Sequence, residues 1–260
     1  MFSNEQRCTL RKHQLAEVIC QLRFPEILMI NEKAPAAFQD RIRDEYPQYS
    51  VRKEMPAPKI KGTPGNFSLE NAPATTNYQF VSADGVWRVN LTSTFISLAC
   101  NRYTGWEDFA KKLDKPLAAF IQIYKPAYFE RVGLRYLNFI SRMQLGLEDI
   151  PFCRLIAPCY LGVLAEEDVL ESTVSRSTVD CEMPIRDGCR IKLHAGPGKV
   201  KRGNKEDPEV KFIFDQDLYR SGQLPLNLVP ATLQTLHAQA FSIFRGAITE
   251  KLHYAMEPEQ

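Results

Sequence analysis

Two segments of this chain repeat one pattern of elements: three short strands with alternating apolar residues, followed by one long amphipathic helix. The first copy runs from residue 78 to 124 and the second from residue 169 to 256. Alternation with a period of two indicates half-buried strands, and apolar spacing of three and four indicates a helix that buries one stripe. The pattern predicts an α+β fold with antiparallel sheets covered by long amphipathic helices. It leaves open whether the chain consists of two similar strand-strand-strand-helix halves.

The length of 260 residues suits either one large domain or two small domains that pack closely. We place the division near residue 145, with an N-terminal α+β half over 1–145 and a C-terminal α+β half over 146–260, packed as one unit. The two repeated segments share no evident sequence identity, so ancient duplication and chance recurrence are both open explanations.

Net charge and hydropathy limit the classes of partner. The chain has 33 Lys and Arg residues against 31 Asp and Glu residues, a formal charge of +2. Such a balance creates no global field for nucleic acid, so nucleic-acid binding would require a local patch. We find no charged and apolar leader and no apolar run near the roughly 18 residues of a membrane span. We therefore expect a cytoplasmic protein without membrane contact.

The cysteines and histidines predict neither a metal site nor a cofactor site. The seven cysteines include no CxxC pair, and their spacing from the four histidines does not match a zinc site. Cys20 and Cys100 alternate in phase with apolar strand residues, as buried free thiols do in a reducing compartment. We also find no serine elbow, no HExxH motif and no convincing Cys/His pair, which makes catalysis the less favoured interpretation.

Several local patterns predict individual elements. Residues 15–24 and 128–141 alternate as strands, and Asp84-Gly85 predicts a tight hairpin turn. Thr104 and Glu107 have the spacing of a capping box at the start of a helix. Pro116 lies inside that helix and predicts a kink, or a split at Asp114, because proline cannot donate a backbone hydrogen bond.

The remaining segments are assigned from composition and periodicity. Residues 56–73 contain four prolines and two glycines, which predicts a loop and the most mobile segment of the first half. Residues 169–181 fit one strand, and the glycine-rich charged residues 196–208 fit a loop. The last helix is expected to run without interruption from Leu233 to Leu252.

Arg131 and Arg135 form the first candidate site, because they lie four residues apart on one face of a strand that looks buried. An unpaired buried charge costs several kcal/mol, so each guanidinium must meet a carboxylate or line a solvated anion pocket. Salt bridges with acids such as Glu17 are the favoured alternative. The other alternative makes Arg131, Arg135 and His237 an anion-binding or nucleotide-binding site, although a lone histidine on an apolar helix face is usually a core residue.

A basic loop forms the second candidate site. The segment GPGKVKRGNK could hold phosphate or an acidic partner through backbone amides and cations. It lacks the GxxxxGK[ST] arrangement of a P-loop, and three acidic residues follow between positions 206 and 209. A solvated hairpin tip is therefore the favoured alternative. The basic residues concerned are Lys199, Lys201, Arg202 and Lys205.

With these elements identified, the chain resembles a sporadically distributed prokaryotic family of uncharacterised proteins of about this length. The resemblance is carried by LAEVICQLRF, YQFVSADGVWRVNLTSTFISLACNRYTGWEDF, RVGLRYLNFI and the last-helix positions His237, Phe244 and Thr249. It implies no catalytic residues. It does imply an accessory gene of the kind found in mobile or phage-defence cassettes, whose product binds the product of a neighbouring gene.

These observations predict a non-catalytic, protein-binding accessory protein, an adaptor or regulator in a phage-defence or stress-response cassette. Richness in Tyr, Phe, Trp and Arg supports a protein partner, since these residues are enriched at interface anchors. The alternatives are an anion- or nucleotide-binding enzyme that uses the paired arginines, and nucleic-acid binding through residues 199–205.

Overall fold

The computed structural model describes residues 1–54, 59–63, 66–70, 74–202 and 205–259. Its strands are β1 (Thr9–Leu10), β2 (Leu15–Arg23), β3 (Gln48–Glu54), β4 (Lys59–Thr63), β5 (Asn66–Glu70), β6 (Thr75–Val81), β7 (Trp87–Leu91), β8 (Phe95–Cys100), β9 (Phe129–Ile140), β10 (Val179–Pro184), β11 (Arg190–Arg202), β12 (Lys205–Leu224) and β13 (Pro258–Glu259). Its α-helices are α1 (Met29–Glu32), α2 (Ala36–Ile42), α3 (Trp106–Tyr124), α4 (Arg142–Leu145), α5 (Val229–Ala247) and α6 (Glu250–Ala255).

Nine of these strands form one antiparallel sheet in the order β10-β11-β12-β9-β2-β8-β7-β6-β3. Two short pairs, β1 with β13 and β4 with β5, lie outside it. The structure thus confirms the α+β class with antiparallel sheets. Among the described helices, none combines the length and the apolar character that a membrane span needs.

The sheet contains the same strand arrangement twice. In the first unit, β2 is followed by the meander β6-β7-β8, and the last meander strand returns to pair with β2 before α3 begins. In the second unit, β9 is followed by the meander β10-β11-β12, whose last strand returns to pair with β9 before α5 begins. The antiparallel pair β2–β9 joins the units. The second unit thus begins with β9, which falls within the 1–145 half expected from the sequence.

One face of the sheet carries the core. On the two central strands the inward residues Val18, Cys20, Leu22, Val132 and Leu134 have no exposed surface. Helices α3 and α5 cover this face and meet it through ring contacts such as Phe24 with Phe120 and Phe214 with Phe244. The opposite face carries charged side chains, including the two arginines of β9.

The hairpin turn between β6 and β7 forms as predicted. Gly85 has a φ of 71°, a left-handed conformation that glycine adopts without strain. The carboxylate of Asp84 accepts hydrogen bonds from the Val86 amide at 3.1 Å and from the Ser82 hydroxyl at 2.6 Å. These bonds fix the turn and set the register of the meander.

The start of α3 differs from the predicted capping box. Gly105 occupies the cap position, and the hydroxyl of Thr104 donates to the carboxylate of Asp108 at 3.0 Å. Because Thr104 lies one residue before the cap, its side chain bonds to another side chain instead of a free backbone amide. The capping box is therefore wrong, although the helix begins within two residues of the expected position.

Helix α3 continues through Pro116, so the predicted split at Asp114 is wrong. Proline cannot donate to the carbonyl four residues earlier, which here belongs to Lys112. The hydroxyl of Tyr46, a residue with 1% exposure, donates to that carbonyl at 3.1 Å. A side chain from the segment after α2 thus supplies the hydrogen bond that the proline removes.

Three loop and strand assignments need correction. Within 56–73 the described residues form the β4–β5 hairpin, and the rest of that segment, including any expected mobility, lies outside the described residues. Within 169–181 a short 3-10 turn at Glu171–Thr173 precedes β10, so one continuous strand is wrong. Within 196–208 the long strands β11 and β12 pair almost to the turn, because charged side chains are tolerated on an exposed hairpin.

The last helical segment divides into α5 and α6. Ile248 has extended backbone angles and forms an isolated bridge with Ile156. The hydroxyl of Thr249 then accepts from the Leu252 amide at 3.5 Å and donates to the Arg154 carbonyl at 3.0 Å. The expected single helix is wrong because pairing with residues 154–156 competes with helical hydrogen bonding at this point.

We expect Tyr46→Phe to destabilise the protein by about 1 kcal/mol, the usual net value of one hydrogen bond. In a Pro116→Ala background the restored amide can bond to the Lys112 carbonyl, so the same substitution should cost less. Chemical denaturation of the four proteins of this double-mutant cycle measures the coupling. Equal costs in both backgrounds would contradict the account of Pro116.

Candidate functional site

A pocket of about 220 Å³ lies where β9 and β12 meet α5 and the start of α3. Its walls include residues 7–10 and 13–15 near the N-terminus and residues 103–105 before α3. Strands β9 and β12 and helix α5 belong to the second repeat unit, whereas α3 belongs to the first. The pocket therefore lies between the two units, a common location for ligand sites.

The floor of the pocket is formed by polar side chains, although the neighbouring inward-facing side chains of the same strands are apolar. Tyr136 and Asn138 are inward residues of β9, and Gln216 lies directly opposite Tyr136 on β12. All three are at most 5% exposed. Their inward neighbours on the same strands include Leu134, Ile140, Phe214 and Leu218, each of which is nearly or fully buried. Polar side chains at these positions bury less apolar surface and must lose their hydration, so core packing alone does not explain their presence.

His237 of α5 forms the opposite wall. Its ring stacks on Trp106 at 4.5 Å between centroids and 11° between planes. Its Nδ1 lies 2.6 Å from the Tyr136 hydroxyl, and the indole N–H of Trp106 donates to Gln234 at 2.7 Å. Because α3 supplies Trp106 and α5 supplies His237, the orientation of the imidazole depends on both repeat units.

Burial keeps the ionisable groups of the pocket uncharged. Burial, with a smaller effect from the Arg7 charge, lowers the pKa of His237 to about 3. Burial also raises the pKa of Tyr136 well above its usual value and the pKa of Tyr103 to about 12. Both groups are therefore uncharged at neutral pH, and in the tautomer with the imidazole proton on Nε2 the Tyr136 hydroxyl donates to Nδ1 of His237.

Three pocket residues carry a buried polar atom without a hydrogen-bond partner among the described residues. These atoms are Nε2 of His237, Oε1 of Gln216 and Oη of Tyr103, the last of which interacts with the Tyr136 hydroxyl without reaching hydrogen-bond geometry. Buried polar groups in proteins are almost always paired with protein, water or ligand, and an unpaired one costs about 1–3 kcal/mol. Three such atoms around one pocket indicate a site prepared for hydrogen bonds to another molecule.

The N-terminal segment forms one side of the pocket. Residues 1–12 are held by two hydrogen bonds between Ser3 and Ser242 and by the ion pair between Glu5 and Arg245. The packing against α5 is close, since a Cβ at position 246 would lie 2.3 Å from the carbonyl oxygen of Met1. Arg7 is exposed at the rim and, in the described part of the chain, makes no ion pair.

The structure places Arg131 and Arg135 on the opposite face of β9 from Tyr136, so they do not meet His237. Nη2 of Arg131 donates to both carboxylate oxygens of Asp217 at 2.7 Å, and Nε of Arg135 donates to Asp215 at 2.7 Å. Gly133 leaves room for the Arg131 side chain, because a Cβ there would lie 2.2 Å from its guanidinium.

The acids that pair with these arginines come from β12, because β12 is the neighbour of β9 on that side. Glu17, the expected partner, instead pairs with Arg88 at 3.0 Å. A groove of about 530 Å³ lies beside Arg135, with walls that carry both signs of charge, among them Asp180, Glu182 and Lys192. The guanidinium charges are thus already paired, and an anion-binding role for Arg131, Arg135 and His237 stays a prediction.

The basic segment lies at the tip of the β11–β12 hairpin. Lys199 and Lys201 both reach Glu206, at 3.3 and 3.4 Å. Lys205 is exposed, and the side chain of Arg202 lies outside the described residues. Pairing with Glu206 reduces the positive potential that nucleic-acid binding would need.

Comparison with protein-family models finds no match, and comparison with curated proteins finds none either. The family resemblance, the accessory function and the protein partner therefore stay predictions. The case for a function rests on the geometry of the pocket.

Sequence reasoning singled out His237 but missed Asn138 and Gln216. The available signal was the interruption of apolar alternation: each residue is a polar amide at an inward position of a buried strand. Neither Tyr103 nor Trp106 was singled out as a site residue. Their convergence on His237 depends on how α3 packs against α5, which no local pattern contains.

We expect His237→Gln to reduce the acid sensitivity of the fold. The unfolded chain protonates this imidazole near pH 6.5 and the folded protein near pH 3, so between these values the unfolded state binds more protons. As the pH decreases from about 6 to about 4, the free energy of unfolding should therefore fall more steeply in the wild type than in the variant, by up to about 1.4 kcal/mol per pH unit. Urea unfolding between about pH 6 and about pH 4 compares the two slopes. Parallel slopes would show that the imidazole is not held neutral.

Proposed function

We propose that the protein is an accessory protein that binds a small molecule in the pocket between its two repeat units. The observation that carries this proposal is the convergence of three unpartnered buried polar atoms, on Tyr103, Gln216 and His237, around one cavity. A core that served packing alone would be more stable with apolar side chains at these positions. The presence of polar side chains at these positions supports a role in ligand binding.

The size and the walls of the pocket suit a single ring system. An apolar cavity of about 150 Å³ takes benzene, and this pocket has about 220 Å³. Phe241 and Phe244 of α5 and the rings of Tyr103 and Tyr136 supply aromatic surface. Aromatic walls with a few placed polar groups are the common composition of small-molecule sites.

The protonation states favour recognition over proton transfer. A general acid or base works best when its pKa lies near the working pH. The pKa of His237 is lowered to about 3, and that of its partner Tyr136 is raised well above the usual value. Neither group exchanges protons readily at neutral pH, whereas both offer stable hydrogen-bonding atoms.

Indole is a suitable first probe because it is a bicyclic ring with one donor. We expect saturable binding with a Kd of about 1 mM or below by titration calorimetry, in line with small-ligand efficiencies. Ala240 is 2% exposed and lines the pocket, so Ala240→Leu should occupy the cavity and weaken binding at least about tenfold.

The matched control is Ala238→Leu, which adds the same side chain to an exposed position of the same helix. It should bind indole like the wild type. If the wild type binds no indole, or if Ala240→Leu binds as well as Ala238→Leu, then the pocket is not a binding site.

A second candidate function, binding of a protein partner, is favoured by the free edge of β3. This strand ends the sheet, and among the described residues no strand pairs with its outer edge. Tyr49 and Val51 continue the apolar face to this edge and are 43% and 47% exposed. An extended segment of a partner can add to such an edge through backbone hydrogen bonds, with side-chain contacts to the apolar residues.

Products of adjacent genes are the partners to test by co-purification. We expect one of them to be retained by the wild type and lost by the variant Tyr49→Lys/Val51→Lys, because two charges on the exposed face disfavour apolar contact. Val163→Lys, at a residue with 57% exposure outside β3, is the control and should retain the partner. Recovery of no adjacent product, or equal recovery by both variants, would refute this second candidate.

A further inference from the structure

We infer that the ligand presents to the floor of the pocket an uncharged, planar nitrogen heterocycle of nucleobase size, with a hydrogen-bond acceptor and a donor on neighbouring atoms. This inference rests on the proposed function and specifies its ligand. It follows from the charge state of the pocket, from the hydrogen-bonding character of its unpartnered atoms and from its aromatic walls.

The floor of the pocket contains no charged side chain that could pair with an ionic group of the ligand. The polar residues there are Tyr136, Asn138, Gln216 and His237, all uncharged at neutral pH or held uncharged by burial. The charged residues of the lining, Arg7 and Glu107, are exposed at the rim. A carboxylate or ammonium on the floor would lose its hydration without compensation, so the part of the ligand that reaches the floor is neutral.

The unpartnered atoms call for both an acceptor and a donor on the ligand. With the imidazole proton on Nε2, His237 donates at this atom, whereas Oε1 of Gln216 accepts. Tyr103 can do either through its hydroxyl. A ring nitrogen beside an amino or N–H group presents this complementary pair in one plane, as pyrimidine and purine bases do on their pairing edges.

Binding of such a ring requires side-chain rotations but no movement of the backbone. The three atoms are shielded from solvent in the free protein. Ligand binding therefore requires that the side chains of Gln216, Tyr103 and His237 turn these atoms toward the cavity. Such rotamer changes at a binding site are common while the backbone stays fixed. The ring then stacks or packs edge-on against the aromatic wall residues, which favour planar ligands.

The test compares cytosine and adenine with indole by titration calorimetry on the full chain. Indole matches adenine in shape but lacks ring acceptors. We expect at least one of the two bases to bind at least about tenfold more tightly than indole, since a hydrogen bond that pairs a buried atom is worth about that factor.

Gln216→Leu tests the acceptor directly. It should weaken the binding of the base and of indole alike, by about tenfold, because the N–H donor of each ligand loses its acceptor. It should also raise the midpoint of thermal unfolding of the free protein, which shows that the variant folds. Gln223→Leu is the control: it is exposed on the same strand, outside the pocket, and should keep the preference. Tyr103→Phe provides a second variant, with a weaker loss of base affinity.

The outcomes separate the two proposals. Indole binding without a preference for either base, or a base affinity unchanged in Gln216→Leu, would overturn the ligand class and leave pocket binding intact. Absence of binding for indole and for both bases would overturn the proposed function as well. A base preference in the wild type, with base affinity weakened in Gln216→Leu and retained in Gln223→Leu, would support the assignment.

Discussion

The antiparallel pairing of β2 with β9 is the interaction on which the rest of the structure depends. It joins two units with the same strand arrangement into one sheet, and its register places Cys20 opposite Leu134 and Leu22 opposite Val132. All four side chains are fully buried on one face. A shift of one residue would turn these side chains to the opposite face and expose them, so the register is strongly specified. Both long helices then lie on the same side of the sheet.

The pocket forms where the two repeat units meet. Helix α3 follows the first meander and α5 the second, and their contact through Trp106 and His237 closes the space above the floor residues. The floor departs from apolar packing at Tyr136, Asn138 and Gln216, on the two strands nearest that contact. These polar residues interrupt the apolar packing of the core face, as is expected where function overrides stability.

The sequence predicted what depends on local patterns. Alternation identified β2 and β9 as strands, and the Asp84-Gly85 turn identified the hairpin of β6 and β7. Cross-strand neighbours were not predictable, because register is set by the whole sheet. Arg131 and Arg135 therefore received Glu17 as the expected partner, whereas Asp217 and Asp215 of β12 hold that position. Competing hydrogen bonds at helix ends, as at Gly105 and Ile248, also could not be predicted from local patterns.

The candidate site was predictable in part. His237 attracted attention as a histidine on an apolar helix face, but its neighbours come from α3, β9 and β12, which are distant in the chain. The amides of Asn138 and Gln216 could have been found as polar interruptions of apolar alternation. Their convergence could not, since it requires the strand order β12-β9-β2 and the packing of α3 against α5.

The most direct test of this account is ¹⁵N NMR of the His237 imidazole in the free protein and with saturating adenine or cytosine. The account predicts a neutral ring at pH 5, protonated on Nε2, whose Nε2–H resonance moves downfield when the heterocycle binds. A ring that titrates near pH 6.5, or an Nε2–H resonance unchanged by either base, would contradict the claim that this buried donor is kept for a ligand.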